Sequence, residues 1–170
     1  MTLLKDPKAE NLLPNPLQFH VRLGKPADAE ELSALWGAAR RFTQLRLLRR
    51  YFEEVDKNIQ VVHVAECEGR LIGQFWTRYT GIDPAIAAGG SQCYLHTLFV
   101  KKEYRRRGVA RALTEAASEE AFLRQRQTLV IGVDRPNAYA RKLYEKWGFA
   151  EFHESWDLRG DLVFLRRPVL

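Results

Sequence analysis

A short basic segment with one glycine is the part of the sequence best suited to bind a phosphate. Arg105 is followed by Gly108 and Ala110 in an Arg-x-x-Gly-x-Ala pattern. Further arginines stand beside it at Arg106, Arg107 and Arg111. Glycine has no Cβ, so a ligand can approach its backbone closely. The following residues have the spacing of an amphipathic helix, whose first amides are unpaired and lie at the positive end of the helix dipole. The segment therefore predicts a phosphate site.

The composition favours one globular domain with a single core. The chain has 170 residues, of which 46% are hydrophobic and 28% charged. We expect an N-terminal arm over residues 1–17, which contain three prolines and no periodic pattern, and a single domain over residues 18–170. Charged residues interrupt any apolar run near the N-terminus, and residues 84–100 are too polar to span a membrane. We expect a cytoplasmic protein that does not enter membranes.

The net charge of +6 attracts phosphates, whether on a cofactor or on nucleic acid. Nucleic acid is the disfavoured partner, because no helix-turn-helix, RNP or zinc pattern is visible and a polyanionic cofactor already accounts for the arginines near Gly108. Cys67 and Cys93 are too few for a disulfide framework, and the four histidines show no His-x-x-x-His spacing. We therefore expect a reduced protein without a metal site.

Hydrophobic periodicity predicts an α/β fold. The predicted strands are residues 19–23, 59–67, 71–79, 93–100, 128–133, 149–158 and 162–168. The predicted helices are residues 26–36, 40–55, 108–126 and 138–146, and residues 80–92 form a long loop. Asn137 is placed to cap the last helix and Gly148 to end it. The strand–helix–strand order of residues 93–133 predicts a parallel crossover.

Two segments on either side of the predicted strand 128–133 carry a paired motif. The first is Leu-x-Val followed by Arg-x-x-Gly-x-Ala, and the second is Asn-x-x-Ala-x-x-Leu-Tyr-x-x-x-Gly-Phe. Together they resemble the GNAT superfamily of acyl-CoA-dependent N-acyltransferases. The matching residues are Leu98, Val100, Arg105, Gly108, Ala110, Asn137, Ala140, Leu143, Tyr144, Gly148 and Phe149. The resemblance covers residues 18–168 and implies the GNAT fold, a mixed central sheet of six to seven strands with about four helices packed on both faces.

The resemblance implies that acetyl-CoA is bound as the acyl donor. Its pyrophosphate would lie on the amides of residues 106–111, where Ala110 replaces the second glycine of the signature. Its pantetheine arm would pair with the preceding strand, and a bulge in that strand would let an amide polarise the thioester carbonyl. Asn137 would contact the same arm in addition to capping its helix. The implied cofactor-binding residues are Leu98, Phe99, Val100, Arg105, Arg106, Arg107, Gly108, Val109, Ala110, Arg111, Asn137 and Tyr144.

The resemblance also implies direct attack of an amine on the thioester, so that neither cysteine is needed as a nucleophile. Tyr144 matches the family's general acid, and a phenol with a pKa of ~10 stays protonated at neutral pH. His96 is the first candidate base because arylalkylamine-type members carry a histidine there, although Tyr94 replaces their preceding one. Glu66, acting through water, is the reserve base. The structural alternatives are core packing for Tyr144 and an ordinary strand side chain for His96.

These residues predict an N-acetyltransferase that moves an acetyl group from acetyl-CoA to a primary amine. The acceptor would be a small molecule or a peptide or protein N-terminus, and the protein a monomer or homodimer. Two alternatives stay open: a non-catalytic module that senses acyl-CoA, and a toxin-like enzyme that acetylates aminoacyl-tRNA. In the family, the segments that correspond to residues 36–55 and 80–92 set acceptor specificity. The arginine-rich second helix disfavours a strongly cationic acceptor such as a polyamine.

Overall fold

A mixed sheet with helices on both faces forms the part of the chain that the computed structural model describes, residues 16–37, 41–87, 90–157 and 160–169. Its strands are β1 (His20–Leu23), β2 (Gln60–Cys67), β3 (Arg70–Arg78), β4 (Gln92–Val100), β5 (Thr128–Asp134), β6 (Ala150–Asp157) and β7 (Gly160–Pro168). Its α-helices are α1 (Ala29–Leu35), α2 (Arg41–Asp56), α3 (Val109–Leu123) and α4 (Ala138–Lys146). The strand order is β1-β2-β3-β4-β5-β7-β6. The predicted fold class is confirmed.

Most predicted boundaries agree with these elements. The third helix is shorter than predicted, because it ends at Leu123 and Arg124 is its C-cap. Asn137 caps α4 as predicted, since its Oδ1 accepts a hydrogen bond from the Ala140 amide at 3.1 Å. Most of the predicted arm lies outside the described residues, and the division into arm and domain stays a prediction. No described helix combines the length and the apolar composition that crossing a bilayer requires.

The two central strands β4 and β5 run parallel but separate part-way along. Their pairing ends at Leu95 with Ile131, although β4 continues to Val100 and β5 to Asp134. The other neighbouring strands pair antiparallel. The predicted parallel crossover is therefore confirmed, with α3 as its connection. Beyond Leu95 the edge of β4 that faces β5 pairs with no strand among the described residues, so its backbone groups are available to a ligand.

Each face of the sheet carries its own core. On one face, α3 and α4 pack on a cluster whose fully buried members include Ile72, Phe75, Leu95, Leu113 and Leu129. On the other face, α1 and α2 pack on a second cluster that includes Leu32, Leu48, Val62, Val64 and Trp76. Strand β2 lies between the two, which explains why nearly all of its residues are buried. The helices therefore enclose the central strands from both sides.

A β-bulge at Thr97 interrupts β4. Gln74 pairs with Phe99 and Trp76 with His96, so two residues of β4 lie opposite the single residue Phe75. Thr97 has φ +56°, which is unusual and strained for a β-branched residue. The bulge shifts the alternation of side chains, so that Leu98 joins the same core cluster as Leu95. The bulge that the resemblance implied is present, at the point where β4 leaves β5.

A buried histidine on β2 should make stability depend on pH. His63 is 5% exposed, and its Nδ1 has no hydrogen-bond partner in the described structure. Burial lowers the pKa of His63 to about 4, whereas in the unfolded chain it lies near ~6.5. The unfolded chain therefore binds the proton first as the pH falls, and the free energy of unfolding drops by up to about 3 kcal/mol between the two pKa values.

We expect His63→Leu to remove this contribution. Urea unfolding at about pH 7 and about pH 4.5 measures the loss of stability on acidification, which should be smaller in the variant than in the wild type. Leucine leaves no unpaired polar atom, so the variant should keep its stability at neutral pH. An equal loss in both proteins would contradict a buried, neutral His63.

Candidate active site

A cavity of about 630 Å³ occupies the gap between β4 and β5. Residues at the ends of the two strands, the loop before α3, and the starts of α3 and α4 form its walls. We call it the α3–α4 cavity. Its lining includes nearly all of the predicted cofactor-binding residues: Leu98, Phe99, Val100, Arg105, Arg106, Gly108, Val109, Ala110, Arg111, Asn137 and Tyr144. The sequence motifs that lie far apart in the chain therefore meet at one site.

The loop before α3 forms a cradle with free amides. Gly108 adopts φ +86° and is the N-cap of α3, and a Cβ built on it would meet no atom within 4 Å. The first amide that bonds within the helix belongs to Ala112, which donates to the Gly108 carbonyl at 3.0 Å. The amides of Val109, Ala110 and Arg111 therefore have no acceptor inside the helix. They lie at the positive end of a helix of 15 residues, as an anion site requires.

The arginines around the cradle have different surroundings. Arg105 turns back toward β4, where its Nε donates to the Val100 carbonyl at 2.9 Å and its guanidinium lies over Phe99. Arg111 pairs with Glu115 at 2.9 Å in an exposed i,i+4 ion pair. Arg106 and Arg107 are exposed, and Arg107 does not line the cavity. Arg105 thus helps to hold the loop on the strand, while Arg106 contributes positive potential.

Tyr144 lies on α4 with its ring in the core and lines the same cavity. It is 5% exposed and makes edge-on contacts with Trp147 and Phe149, whose ring centroids are 5.7 and 5.6 Å away. Burial raises the pKa of the Tyr144 phenol above its ordinary value. The hydroxyl therefore stays protonated throughout the physiological range. Tyr144 is one of the residues that line the α3–α4 cavity, so a ligand bound there would lie beside its side chain.

A second cavity of about 530 Å³ opens on the opposite face of the sheet, beneath α2. We call it the α2 cavity. Four residues line both cavities: His96, Thr97, Gly132 and Asp134. Gly132 lets two side chains pack directly on the β5 backbone, because a Cβ there would lie 2.9 Å from both the Tyr94 hydroxyl and the Phe164 ring. The separated strands thus connect two cavities on opposite faces of the sheet.

His96 is held at the junction by aromatic rings and two hydrogen bonds. Its ring is nearly parallel to those of Trp76 and Tyr94, and Tyr51 contacts it edge-on with centroids 5.7 Å apart. Its Nε2 lies 3.0 Å from Gln60 Oε1, and its Nδ1 lies 3.0 Å from Thr97 Oγ1. Burial, with a smaller contribution from the charge of Arg78, lowers the pKa of His96 to about 4. At neutral pH the ring is uncharged and can accept a proton.

The structure does not bring Glu66 to the site. Glu66 lies at the far end of β2 from Gln60 and lines neither cavity. Its carboxylate accepts hydrogen bonds from Arg22 Nε at 2.9 Å and is paired with Arg22 Nη2 at 2.8 Å, which ties β1 to β2. Glu66 is therefore an anchor for the edge strand rather than a candidate base. The described part of residues 80–92 also lines neither cavity.

Sequence reasoning missed several residues at the junction. Gln60, Glu54 and Arg78 line the α2 cavity, and Thr97 and Gly132 line both cavities. Gln60 offered one signal, a polar residue at the start of an otherwise apolar strand. The other residues could be connected only after the strand register was known, because they lie on different elements.

A comparison with protein families identifies the class of protein. A sequence model of the Acetyltransferase (GNAT) family matches residues 29–149, from α1 to the end of the second motif. This chain belongs to that family. Membership confirms the resemblance seen in the motifs, and acetyl-CoA is the acyl donor that this family uses.

Individual relatives agree with the assignment. Mycothiol acetyltransferase of Tsukamurella paurometabola is 35% identical over 89 residues, which are 52% of this chain and 28% of that protein. This GNAT acetyltransferase therefore spans less than a third of that relative's length. The N-acetyltransferase of Staphylococcus aureus Mu50 has a TM-score of 0.72 at 21% identity, over 90% of this chain and 99% of its own. The yncA structure of Salmonella typhimurium, solved with acetyl-CoA, has a TM-score of 0.69 at 17% identity, over 89% of this chain and 94% of its own. These two structures show a shared fold.

Proposed function

We propose that this GNAT acetyltransferase transfers an acetyl group from acetyl-CoA to a primary amine by direct attack. The donor binds in the α3–α4 cavity and the acceptor in the α2 cavity. The observation that carries the proposal is the junction of the two cavities at His96 and Thr97, with Tyr144 lining the donor side. A donor and an acceptor bound from opposite faces of the sheet would meet beside a neutral imidazole and a protonated phenol.

The α3–α4 cavity has the features that acetyl-CoA requires. The cradle at Gly108 leaves open space beside free amides, which suits a pyrophosphate. Beyond Leu95 the unpaired edge of β4 can form strand-like hydrogen bonds with the amides of a pantetheine arm. Asn137 and Leu98 line the path between these two points. Bound in this way, acetyl-CoA supplies an acetyl group activated as a thioester.

The protein's own side chains would then manage two protons. His96, uncharged at neutral pH, takes the proton that the amine loses as its nitrogen bonds to the acetyl carbon. Tyr144 donates its hydroxyl proton to sulfur as the carbon–sulfur bond breaks. The ring of Tyr144 packs against Trp147 and Phe149, and these weakly polar surroundings disfavour a free thiolate, so sulfur needs the proton at that moment. Neither Cys67 nor Cys93 takes part, since both are buried and line neither cavity.

The charges of the α2 cavity favour an acceptor with both an amine and an anionic group. Glu54 and Arg78 neutralise each other, since two nitrogens of Arg78 lie 2.8 and 3.1 Å from the Glu54 carboxylate. The exposed Asp134 at the junction attracts an amine toward the reacting position. Arg50 is 73% exposed and its Nε lies 3.9 Å from Glu54 Oε1; since Arg78 already pairs with that carboxylate, the two arginines leave one positive charge that attracts an anion. Amino acids and acidic peptide N-termini have this pattern, whereas polyamines do not.

A thiol-release assay with acetyl-CoA tests the proposed function. The panel pairs each amine with an otherwise similar amine that carries a carboxylate, and includes aminoglycosides, polyamines and charged tRNA. We expect thiol release with at least one primary amine, a higher kcat/KM for the acidic member of each pair, and loss of that preference in Arg50→Ala. Binding of acetyl-CoA without turnover of any acceptor would contradict the proposal and favour an acyl-CoA sensor.

A further inference from the structure

Gln60 is a fully buried polar side chain that connects α2 to His96. It is the first residue of β2 and is 0% exposed. Its Nε2 donates a hydrogen bond to Glu54 Oε2 at 2.7 Å, and its Oε1 lies 3.0 Å from His96 Nε2. Burying an amide is costly unless its hydrogen bonds are made. Here both ends of the amide are bonded, one to a carboxylate and the other to the imidazole at the junction of the cavities.

The chemistry of its neighbours fixes the orientation of this amide. The Glu54 carboxylate, paired with Arg78, can only accept hydrogen bonds, so the nitrogen of Gln60 must face it. The carbonyl oxygen of Gln60 must then face His96, and an oxygen can only accept. His96 Nε2 is therefore the donor and carries the ring proton. In an uncharged imidazole this leaves the lone pair on Nδ1, which lies 3.0 Å from the Thr97 hydroxyl.

We propose that Gln60 is a positioning residue that keeps the proton of His96 on Nε2, so that Nδ1 is the basic atom and receives its proton through Thr97. This inference rests on the proposed function. Thr97 is exposed and lines both cavities, so its hydroxyl can accept a proton from a bound amine while donating its own to Nδ1. The bulge with φ +56° at Thr97 places this hydroxyl beside the ring.

The proton and electron balance of the step is complete. The lone pair of the amine forms the carbon–nitrogen bond, and the electron pair of the carbon–sulfur bond leaves with sulfur. One amine proton passes to Thr97 Oγ1 as the Thr97 hydroxyl proton passes to His96 Nδ1. Tyr144 gives its proton to sulfur. The imidazolium and the phenolate then exchange a proton through solvent, which restores both groups.

Several charged and titratable groups share the α2 cavity with His96. Arg50, Tyr51 and Glu54 face it from α2, Arg78 from β3, Tyr94 from β4 and Asp134 from β5. Arg78 disfavours a protonated ring, and Gln60 stands between the ring and the Glu54 carboxylate. Gln60 is thus the group that bonds to Nε2 directly.

Nitrogen NMR of the histidine side chains tests the assignment without any acceptor. The signals of His96 are identified by their loss in His96→Asn, and the couplings between ring protons and nitrogens report which nitrogen carries the proton. In the wild type at neutral pH we expect a single tautomer with the proton on Nε2. A proton on Nδ1, or an even mixture of the two tautomers, would overturn the proposal. The result does not depend on turnover, so it separates this proposal from the proposed function.

Variants then show whether Gln60 is the cause. Gln60→Leu should give a mixture of His96 tautomers and lower kcat by roughly tenfold or more, with acetyl-CoA affinity unchanged. Gln74→Leu is the matched control, because Gln74 is equally buried but bonds to Trp76 Nε1 and lines neither cavity. If Gln60→Leu does not fold, Glu54→Gln serves as the second variant. The carboxamide that it introduces can donate as well as accept hydrogen bonds, so it no longer fixes which end of the Gln60 amide faces it, and His96 should again show a mixture of tautomers. A wild-type tautomer in the folded variants would overturn the role of Gln60.

Discussion

Gly108→Asp should abolish most of the binding of acetyl-CoA, with a loss of affinity on the order of a hundredfold or more. Gly108 has φ +86°, and its missing Cβ would project into open space at the cradle. An aspartate there would place a side chain and a negative charge where we propose that the pyrophosphate binds, and it would strain a left-handed backbone. Isothermal calorimetry with acetyl-CoA and with coenzyme A measures the loss.

A second glycine in the chain provides a matched control for backbone strain. Gly69, in the turn between β2 and β3, has φ +73° and an equally open Cβ position, but lines neither cavity. We expect Gly69→Asp to lose similar stability and to bind acetyl-CoA normally. Gly108→Ala, which adds a methyl group without charge, should have an intermediate affinity. If Gly108→Asp bound acetyl-CoA as tightly as Gly69→Asp does, the cradle would not be the phosphate site.

Tyr144→Phe should lower kcat by at least about a hundredfold and leave acetyl-CoA affinity nearly unchanged. The phenyl ring keeps the edge-on contacts with Trp147 and Phe149, so the helix should stay in place. The variant loses the hydroxyl that we propose as the proton donor, whose pKa is raised by burial and which is therefore fully protonated at neutral pH. Steady-state kinetics with an acceptor from the panel, together with calorimetry for acetyl-CoA, separates turnover from binding.

Tyr79→Phe is the control for removing a buried phenol hydroxyl. Tyr79 is 3% exposed, its hydroxyl is unpaired in the described structure, and it lines neither cavity. Its ring contacts with Arg124 and Arg126 do not need the hydroxyl. We expect wild-type kinetics from this variant. Wild-type turnover in Tyr144→Phe as well would mean that Tyr144 serves only packing.

The sequence predicted the parts of the site that depend on local chemistry. A glycine in a basic loop before a helix predicts a cradle whatever the rest of the fold, and the structure adds that Gly108 is left-handed, with φ +86°. Asn137 precedes a helix and caps it through its own side chain. Apolar, β-rich runs predicted β2 and β3, because both faces of the central sheet are covered and nearly every residue of these strands is buried. These features involve neighbours within a few residues along the chain.

Features that depend on register were beyond sequence reasoning. Glu66 has the chemistry of a base, but the pairing between β1 and β2 places it beside Arg22. Gln60 and His96 are separated by the whole of β3, and only the sheet brings them to 3.0 Å. The end of pairing between Leu95 and Ile131 is likewise a property of the assembled sheet. The family resemblance implied a bulge in β4, but only the register places it at Thr97.

The separation of β4 from β5 also bears on the order in which the two substrates bind and the products leave. Because the two cavities open on opposite faces of the sheet, a bound donor does not close the entrance that an acceptor would use. If the two substrates bind as proposed, neither must leave before the other arrives, and both occupy the protein when the bond forms. A ternary complex is then the working state of the enzyme, and its initial rates should follow a sequential rather than a ping-pong law.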